Sequence, residues 1–588
     1  MKLKQLHIAI FCCLFYGFAQ GQYLIKDGTD LLSLQKVPQE KIFLHHSSAV
    51  LFTGEYLYYK LYCQNAQTNR LSNISAVGYV SLVNDKGVPI FEHKIRLENG
   101  MGTGDYFLNT DVPSGNYKLL AYTQWMKNSG LEQLYQDDIL IINPYMADQT
   151  AILKKDGDKD LLVNEEQIAK EVDLKGDESL LQLQLEGNTF SQREKIAVTL
   201  RNYKGNLGHG EYSLLVRKVN AIKDIQYLDA VNYGQRYLNA DKVLQQGVGD
   251  SIVLPEQRGE LFFGQVTSKM DNRPAADKNV IISLPGKEHL LKRALTDPTG
   301  HFYTYIRKAY KNPLSIVQVL DEGDFKVVVK KQRSLDYAKL QFASHIIDKA
   351  LAEAIKERSV HNQIENAYFG MKPDSILPKD AIDVFDGGIP EVFRLDDYTR
   401  FATLQETFVE ILNTVGYRDG GRYIRVAQEF EKFDEPYNDF PAIVLIDGVF
   451  IPDHSTIRDF DARQINTIRV LRDQLVLGAT QYQGIVAIET ENNDFYESYE
   501  YINMVKEVLP LPRPEKNYYK QVFSLDSTQS HIPDYRNLLF WEPYVKVLDN
   551  AQPFEFYTSD VAGEYEVLLE GFTTYGKPIS LRKTFVVK

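Results

Sequence analysis

The stretch PAIVLIDGVF, Pro441–Phe450, decides how the second half of the chain is read. An unbroken apolar run, Ala442 to Ile446, stops at Asp447-Gly448 and resumes as Val449-Phe450-Ile451. A short continuous run bounded by a turn pair reads as a buried strand, a tight turn and a second short strand. Downstream lies INTIRVLRDQLVLGATQYQGIVAIET, Ile465–Thr490. Its first part carries Ile465, Ile468, Val470 and Leu471 at positions expected to be buried, and GIVAIETEN closes the sheet. Upstream, TLQETFVEILN places Leu404, Phe408, Ile411 and Leu412 on one face of a short helix, and GGRYIRVA reads as a strand. Residues 391–500 are therefore expected to form an α+β domain.

This segment resembles the plug domain of TonB-dependent outer-membrane receptors. The resemblance rests on Ile446, Asp447, Gly448 and Val449, then Ile468, Val470, Leu471 and Asp473, then Gly478, Gly484 and Ile488, in receptor order. It departs at LVLGATQYQG, where receptors carry Tyr-Gly, and no TonB-box-like segment precedes it. A receptor barrel needs about 22 strands of roughly ten residues, and only 95 residues follow Asn493. The resemblance thus implies a plug-like domain that docks on or in a β-barrel formed by another chain.

The N-terminal half reads as β-sandwiches. Lys2 and Lys4, the apolar stretch Ile8 to Phe18, and Ala19 and Gly21 are expected to form a cleaved signal peptide, residues 1–21. Phe11 before Cys12-Cys13 argues against a lipobox, and Cys63 is then left as a lone buried hydrophobe. Residues 22–146 alternate short strands with turn residues. They resemble the macroglobulin (MG2-type) domains of exported Bacteroidota proteins through Glu40-Lys41, Phe43-Leu44-His45, Gly54-Glu55, Lys60 and Trp125. That resemblance implies a binding or spacer module, without the thioester motif of protease-trapping macroglobulins.

Residues 147–250 are read as a second macroglobulin-like sandwich plus linker, with 221–258 lacking periodicity. Asp156, Asp158 and Asp160 imitate a calcium loop, but Leu161 and Gln167 stand where Gly and a bidentate Glu are needed. Residues 251–335 resemble the carboxypeptidase-regulatory-like sandwich through Pro274, Thr296-Asp297, Gly300 and Phe302, a likeness that implies no peptidase activity. A helical linker is expected over 336–390 and a C-terminal β-sandwich, with Trp541 in its core, over 501–588. The fold class expected is mainly β and multidomain: serial Ig/macroglobulin-like sandwiches, a helical linker, the plug-like domain and a final sandwich.

Chemistry-bearing motifs are sparse. No G-x-S-x-G, H-E-x-x-H, P-loop or Rossmann fingerprint occurs. Asp447 stands alone in an apolar run but precedes Gly, a turn pairing. His45 and His46 are strand neighbours that face opposite ways, and His345 and His361 lack a second ligand one turn away. No catalytic residue, metal or cofactor is expected. The net charge of -13 gives no encouragement to a nucleic-acid reading, which wants a basic stripe, nor does it favour adsorption to an anionic membrane surface. Asp250-Ser251-Ile252, Asp374-Ser375-Ile376 and Asp526-Ser527-Thr528 resemble the O-glycosylation signal of Bacteroidota. The functional expectation is a non-catalytic subunit of an outer-membrane complex, such as a type 9 secretion translocon or an uptake or barrel-assembly complex. Its partners would be a barrel, other subunits or secreted cargo, with no membrane span of its own. The alternative is a periplasmic or cell-surface protein that recognises polypeptide or glycan through its sandwiches.

Overall fold

In the computed structural model, strand Glu40–His46 pairs with Tyr56–Asn65, and Met101–Phe107 completes a three-stranded sheet. It packs on a five-stranded sheet whose order is Val50–Phe52, Tyr135–Ile142, Gly115–Tyr122, Val77–Asn84 and Pro89–Arg96. The structure describes residues 23–153, 180–222, 225, 227–238, 244–378, 382–428, 440–478, 480–523 and 531–588. The signal-peptide stretch, the calcium-like aspartates and the Asp526 triplet lie outside them. The chain divides into two units: residues 1–257, 333–377 and 513–588, and residues 258–332 and 378–512. The fold is mainly β and multidomain.

The first unit corrects the expectation of an independent C-terminal sandwich over 501–588. Strand Gly210–Lys218 lies between Leu538–Val547 and Gly563–Thr573, which are both C-terminal. Pro578–Val587 and Thr189–Phe190 extend the same five-stranded sheet. The facing sheet joins Leu181–Leu185 and Lys195–Asn202 to Ala551–Tyr557. One sandwich is thus built from both ends of the chain. Tyr212, Leu214 and Val216 bury beside Val567, Leu569 and Phe585 in one core. Period-two alternation specifies which face of a strand is buried, but not which strand lies beside it.

Two further expectations change. Within 221–258, Ala230–Tyr237 is a helix whose N-cap Asp229 accepts from Asn232 N at 2.7 Å. Tyr233 and Tyr237, one turn apart, bury in the core of the first sandwich. Among the described residues, the linker expected over 336–390 is α-helical only at Ala352–Ala367. Before it, Ile347 is extended, bridges Leu153 and buries with Ile142 and Ile152, so tertiary burial overrides the helical spacing. Arg358 on that helix clasps Glu55 through Nε and Nη2 at 2.7 and 2.8 Å.

In the second unit, Glu260–Ser268, His301–Ile306 and Phe325–Val329 form one sheet of a sandwich. The other runs Leu290–Leu295, Asn279–Leu284, Leu314–Val319 and then Met504–Val508, a strand contributed from beyond the plug-like segment. The plug-like sheet has the order Glu391–Arg394, Ile465–Leu477, Thr480–Thr490, Ile443–Ile446 and Val449–Phe450. Ile443–Ile446 runs parallel to Thr480–Thr490, with Ile443 opposite Ile485 and Ile446 opposite Ile488. Helix Leu404–Glu410 begins in a capping box between Thr403 and Glu406. It covers the face bearing Val444, Ile446, Ile468 and Val470. Ile443, Leu445, Leu471 and Ile485 pack with Ile281 of the sandwich on the other face. A strand covered on both faces needs apolar residues at every position, which explains the unbroken run at 442–446. No helix among the described residues is long and apolar enough to cross a membrane.

Leu214 and Leu569 are direct cross-strand partners with no exposed surface. Leu214→Ala and Leu569→Ala are each expected to lower stability by about 2–5 kcal/mol. Both should shift the same transition in denaturant unfolding followed by Trp541 fluorescence, although the residues lie near opposite ends of the chain.

Candidate functional site

Among the described residues, Asp447 is the one buried carboxylate of the plug-like segment, and its position is a turn. Its φ of 48° and Gly448's of 82° form the two-residue link between strands Ile443–Ile446 and Val449–Phe450. The side chain is 1% exposed. Oδ1 accepts from Thr490 N at 2.8 Å, and Oδ2 accepts from Thr490 Oγ1 at 2.5 Å and Phe495 N at 3.0 Å. The main-chain carbonyl of Asp447 accepts from Gly286 N at 2.8 Å. A Cβ on Gly448 would stand 2.2 Å from that of His289, so only glycine lets the sandwich approach this closely. Burial and Arg469 push the His289 imidazole down to about 4, which keeps it neutral beside the turn. Every acceptor direction of Asp447 faces the protein, and no substrate reaches it.

Ile446, Val449, Ile468, Val470 and Ile488 converge in the core beneath helix Leu404–Glu410. Leu471 turns to the opposite face. Asp473 is exposed, at a bulge where Arg472 and Asp473 oppose Gly484 alone. Gly484, with φ of 82°, leaves no room for a Cβ beside Val426 and the Leu471 carbonyl. Gly478 sits at the hairpin tip against Arg293 of the sandwich. These residues build and aim a sheet; they do not converge on a reacting atom.

The nearest approach to catalytic chemistry is one that no sequence motif marks. His45 Nδ1 and Ser213 Oγ stand 2.6 Å apart where the two sandwiches of the first unit meet, and Tyr62 OH lies 3.0 Å from the same hydroxyl. A nucleophile and base at this distance suit acyl transfer in principle. Both side chains are completely buried. Burial, with His46, Arg217 and Lys60 nearby, holds the His45 imidazole well below its usual range. No carboxylate among the described residues orients its far nitrogen. The pair is a buried polar joint. His46 turns the other way, with Nε2 2.8 Å from Asp137 and Nδ1 3.1 Å from the Ser48 carbonyl, so the two histidines share no ion.

The other residues of the MG2-like pattern also act as joints. Lys60 is fully buried, and Nζ donates to the carbonyls of Tyr212 at 3.0 Å and Pro543 at 2.6 Å, over the Tyr62 ring. Glu40 accepts from Ser72 Oγ, Ser75 Oγ and Thr123 Oγ1 at 2.6, 2.5 and 2.9 Å. The Cys63 thiol, 3.4 Å from Glu40, is pushed well above its usual range by burial and by that carboxylate, which makes it a poor nucleophile. Glu570 is buried and shifted well above the carboxylate range by burial and by Asp229. It accepts from Ala230 N at 2.8 Å and Ser580 Oγ at 2.7 Å. Among the described residues, no group of three or more His, Cys, Asp or Glu is placed to hold a metal ion.

No protein-family model matches the chain, and no curated protein matches it. Solved structures do. The chain is similar to Escherichia coli alpha-2-macroglobulin activated by porcine elastase, at 11% identity and a TM-score of 0.24, over 93% of this chain and 44% of that one. Salmonella alpha-2-macroglobulin reacted with methylamine matches at 10% identity and a TM-score of 0.23, over 93% and 39%. The Escherichia coli adhesin FdeC matches at 10% and 0.15, over 48% and 60%. The chain spans less than half the length of these macroglobulins.

Burial pushes the Lys60 ammonium from 10.5 down to about 7, against the opposing pull of Glu211 and Glu542. Between about pH 7 and 10.5 the unfolded chain therefore binds more protons than the folded one. Stability is gained as pH rises through that window. Lys41 and Lys127, each lowered to about 8, act with the same sign. Lys60→Met is expected to flatten the rise, by at most ~1.4 kcal/mol per pH unit, in urea midpoints measured from pH 7 to 10. Asp447→Ala leaves the buried Thr490 amide and the half-buried Phe495 amide without their acceptor. It should cost about 2–4 kcal/mol in the unfolding of the second unit, with Asp447→Asn costing less.

Proposed function

We propose that this chain is an exported, non-catalytic subunit of a Bacteroidota outer-membrane complex. Its plug-like domain docks on a β-barrel formed by another chain, and its sandwiches bind partner subunits or cargo. The observation that carries this reading is the assembly of the plug-like motif into one sheet, with the Asp447-Gly448 turn, the Gly484 bulge and the Ile465–Leu477 hairpin strand in their receptor order. The fate of the reactive side chains supports the non-catalytic part, because Asp447, His45, Ser213, Cys63 and Glu570 are all buried in structural bonds.

The geometry favours docking against a barrel mouth over entry into a lumen. One face of the sheet is already occupied by residues of the 258–332 sandwich, and Met504–Val508 ties the two together through a shared ladder. A lumen would have to admit both. The sheet instead offers its open edge, Glu391–Arg394, where Val392 is half exposed and Glu391 is held by Arg472. Unpaired edge groups are a template for a strand of another chain.

Purification of the tagged chain from native membranes in mild detergent tests this. Stoichiometric recovery of a large barrel is expected, with crosslinks to it from Val392→Cys. Release as a free monomer by osmotic shock would overturn the proposal and favour a periplasmic or surface recognition protein.

A further inference from the structure

The helix Ala352–Ala367 is fastened to the first sandwich by a polar stripe. Arg358, Asn362 and Asn366 recur every four residues and so share one face. Arg358 and Asn362 both bond Glu55, and Asn366 Nδ2 donates to the Gly54 carbonyl at 3.0 Å. A second stripe of helical spacing, Ala352, Ile355, Ser359, Val360 and Gln363, lines a cleft of about 530 Å³. The facing wall comes from the end of strand Tyr135–Ile142 and the segment after it, through Ile142, Met146, Ile152 and Leu153. Ile347 lines the cleft as well, and every lining residue belongs to the first unit.

The walls are aliphatic. Ile142, Ile152 and Ile347 are buried, whereas Leu153 and Val360 remain 36% and 46% exposed. Among the described residues no aromatic ring lines the cleft, although 12% of the chain is aromatic. Such walls suit a flexible alkyl chain over a flat ring, and the volume is that of a small-molecule site, about 300–1,000 Å³. An α-helix about 10–12 Å across would fill it with about one turn, too little to anchor a protein partner. The charge around the cleft is positive. Lys349 and Lys356 line it and are exposed. Asp348 is the one carboxylate among the described lining residues, and its Oδ1 accepts from the Ala350 amide at 2.8 Å. Glu353 and Glu357 of the same helix fall outside the lining stripe. Two ammoniums beside aliphatic walls complement an anionic head on an alkyl chain.

We propose that this cleft binds a monoacyl amphiphile with an anionic head, of which a long-chain carboxylate is the simplest member. Lys349 and Lys356 meet the head, and Ile142, Ile152, Ile347 and Ile355 receive the chain. The proposal stands apart from the barrel reading, since it concerns the first unit and needs no second protein.

The test is isothermal titration of the full chain with decanoate, dodecanoate and dodecyltrimethylammonium, each below its micellar concentration and at constant ionic strength. Dodecanoate is expected to bind one-to-one, about tenfold more tightly than decanoate. It should also bind at least about tenfold more tightly than the cationic amphiphile. A352W and V360W each fill the cleft and should abolish binding with an unchanged thermal melt, and either serves if the other fails to fold. K349E/K356E should weaken dodecanoate by about tenfold and strengthen the cationic amphiphile. Failure of dodecanoate to bind, equal affinity for the two head groups, indifference to chain length, or full binding by both tryptophan variants overturns the proposal. Binding of an amphipathic leucine–glutamate helical peptide in place of dodecanoate also overturns it, and would assign the cleft to a protein helix.

Discussion

The first unit depends on the ladder that strand Gly210–Lys218 makes with Leu538–Val547 on one side and Gly563–Thr573 on the other. Its alternate residues do two different jobs. Tyr212, Leu214 and Val216 fill the core of their own sandwich. Ser213 and the Tyr212 carbonyl point to the first sandwich and receive Tyr62, His45 and Lys60. Without the C-terminal strands neither job is possible, because an unpaired strand cannot hold two opposed faces in register. The second unit is consequently an insertion between the halves of a sandwich.

The polar residues that stand out in the sequence act within this framework. Glu40, His45, Glu55 and Lys60 belong to the macroglobulin-like pattern; Glu40 binds within its own sandwich, and the other three reach across a boundary. Glu40 ties down the 72–75 loop, His45 and Lys60 meet the second sandwich, and Glu55 holds the 352–367 helix. A buried polar group without a partner costs roughly 1–3 kcal/mol, so such groups persist where two modules supply each other's partners. The same rule governs Asp447, whose three donors come from the strand and turn that the sheet must align.

Charge has to be judged at the scale on which it acts. A total of -13 disfavours an anionic surface only if the chain meets it as an average.

The sequence by itself determined the mainly β architecture, the short strands between turn residues, the Asp447-Gly448 turn and the buried run before it. These follow from local rules: period-two alternation, turn chemistry at positive φ, and the need for apolar residues on a doubly covered strand. Only the tertiary structure decided that 538–587 completes the sandwich begun at 181, that Tyr233 and Tyr237 plug the first core, and that Ile347 is extended. It alone brought Ser213 to His45 and closed solvent off from both. The reason is physical: a strand's pattern states which face it buries, whereas its neighbours are chosen by the whole chain when cores and hydrogen-bond ladders close together.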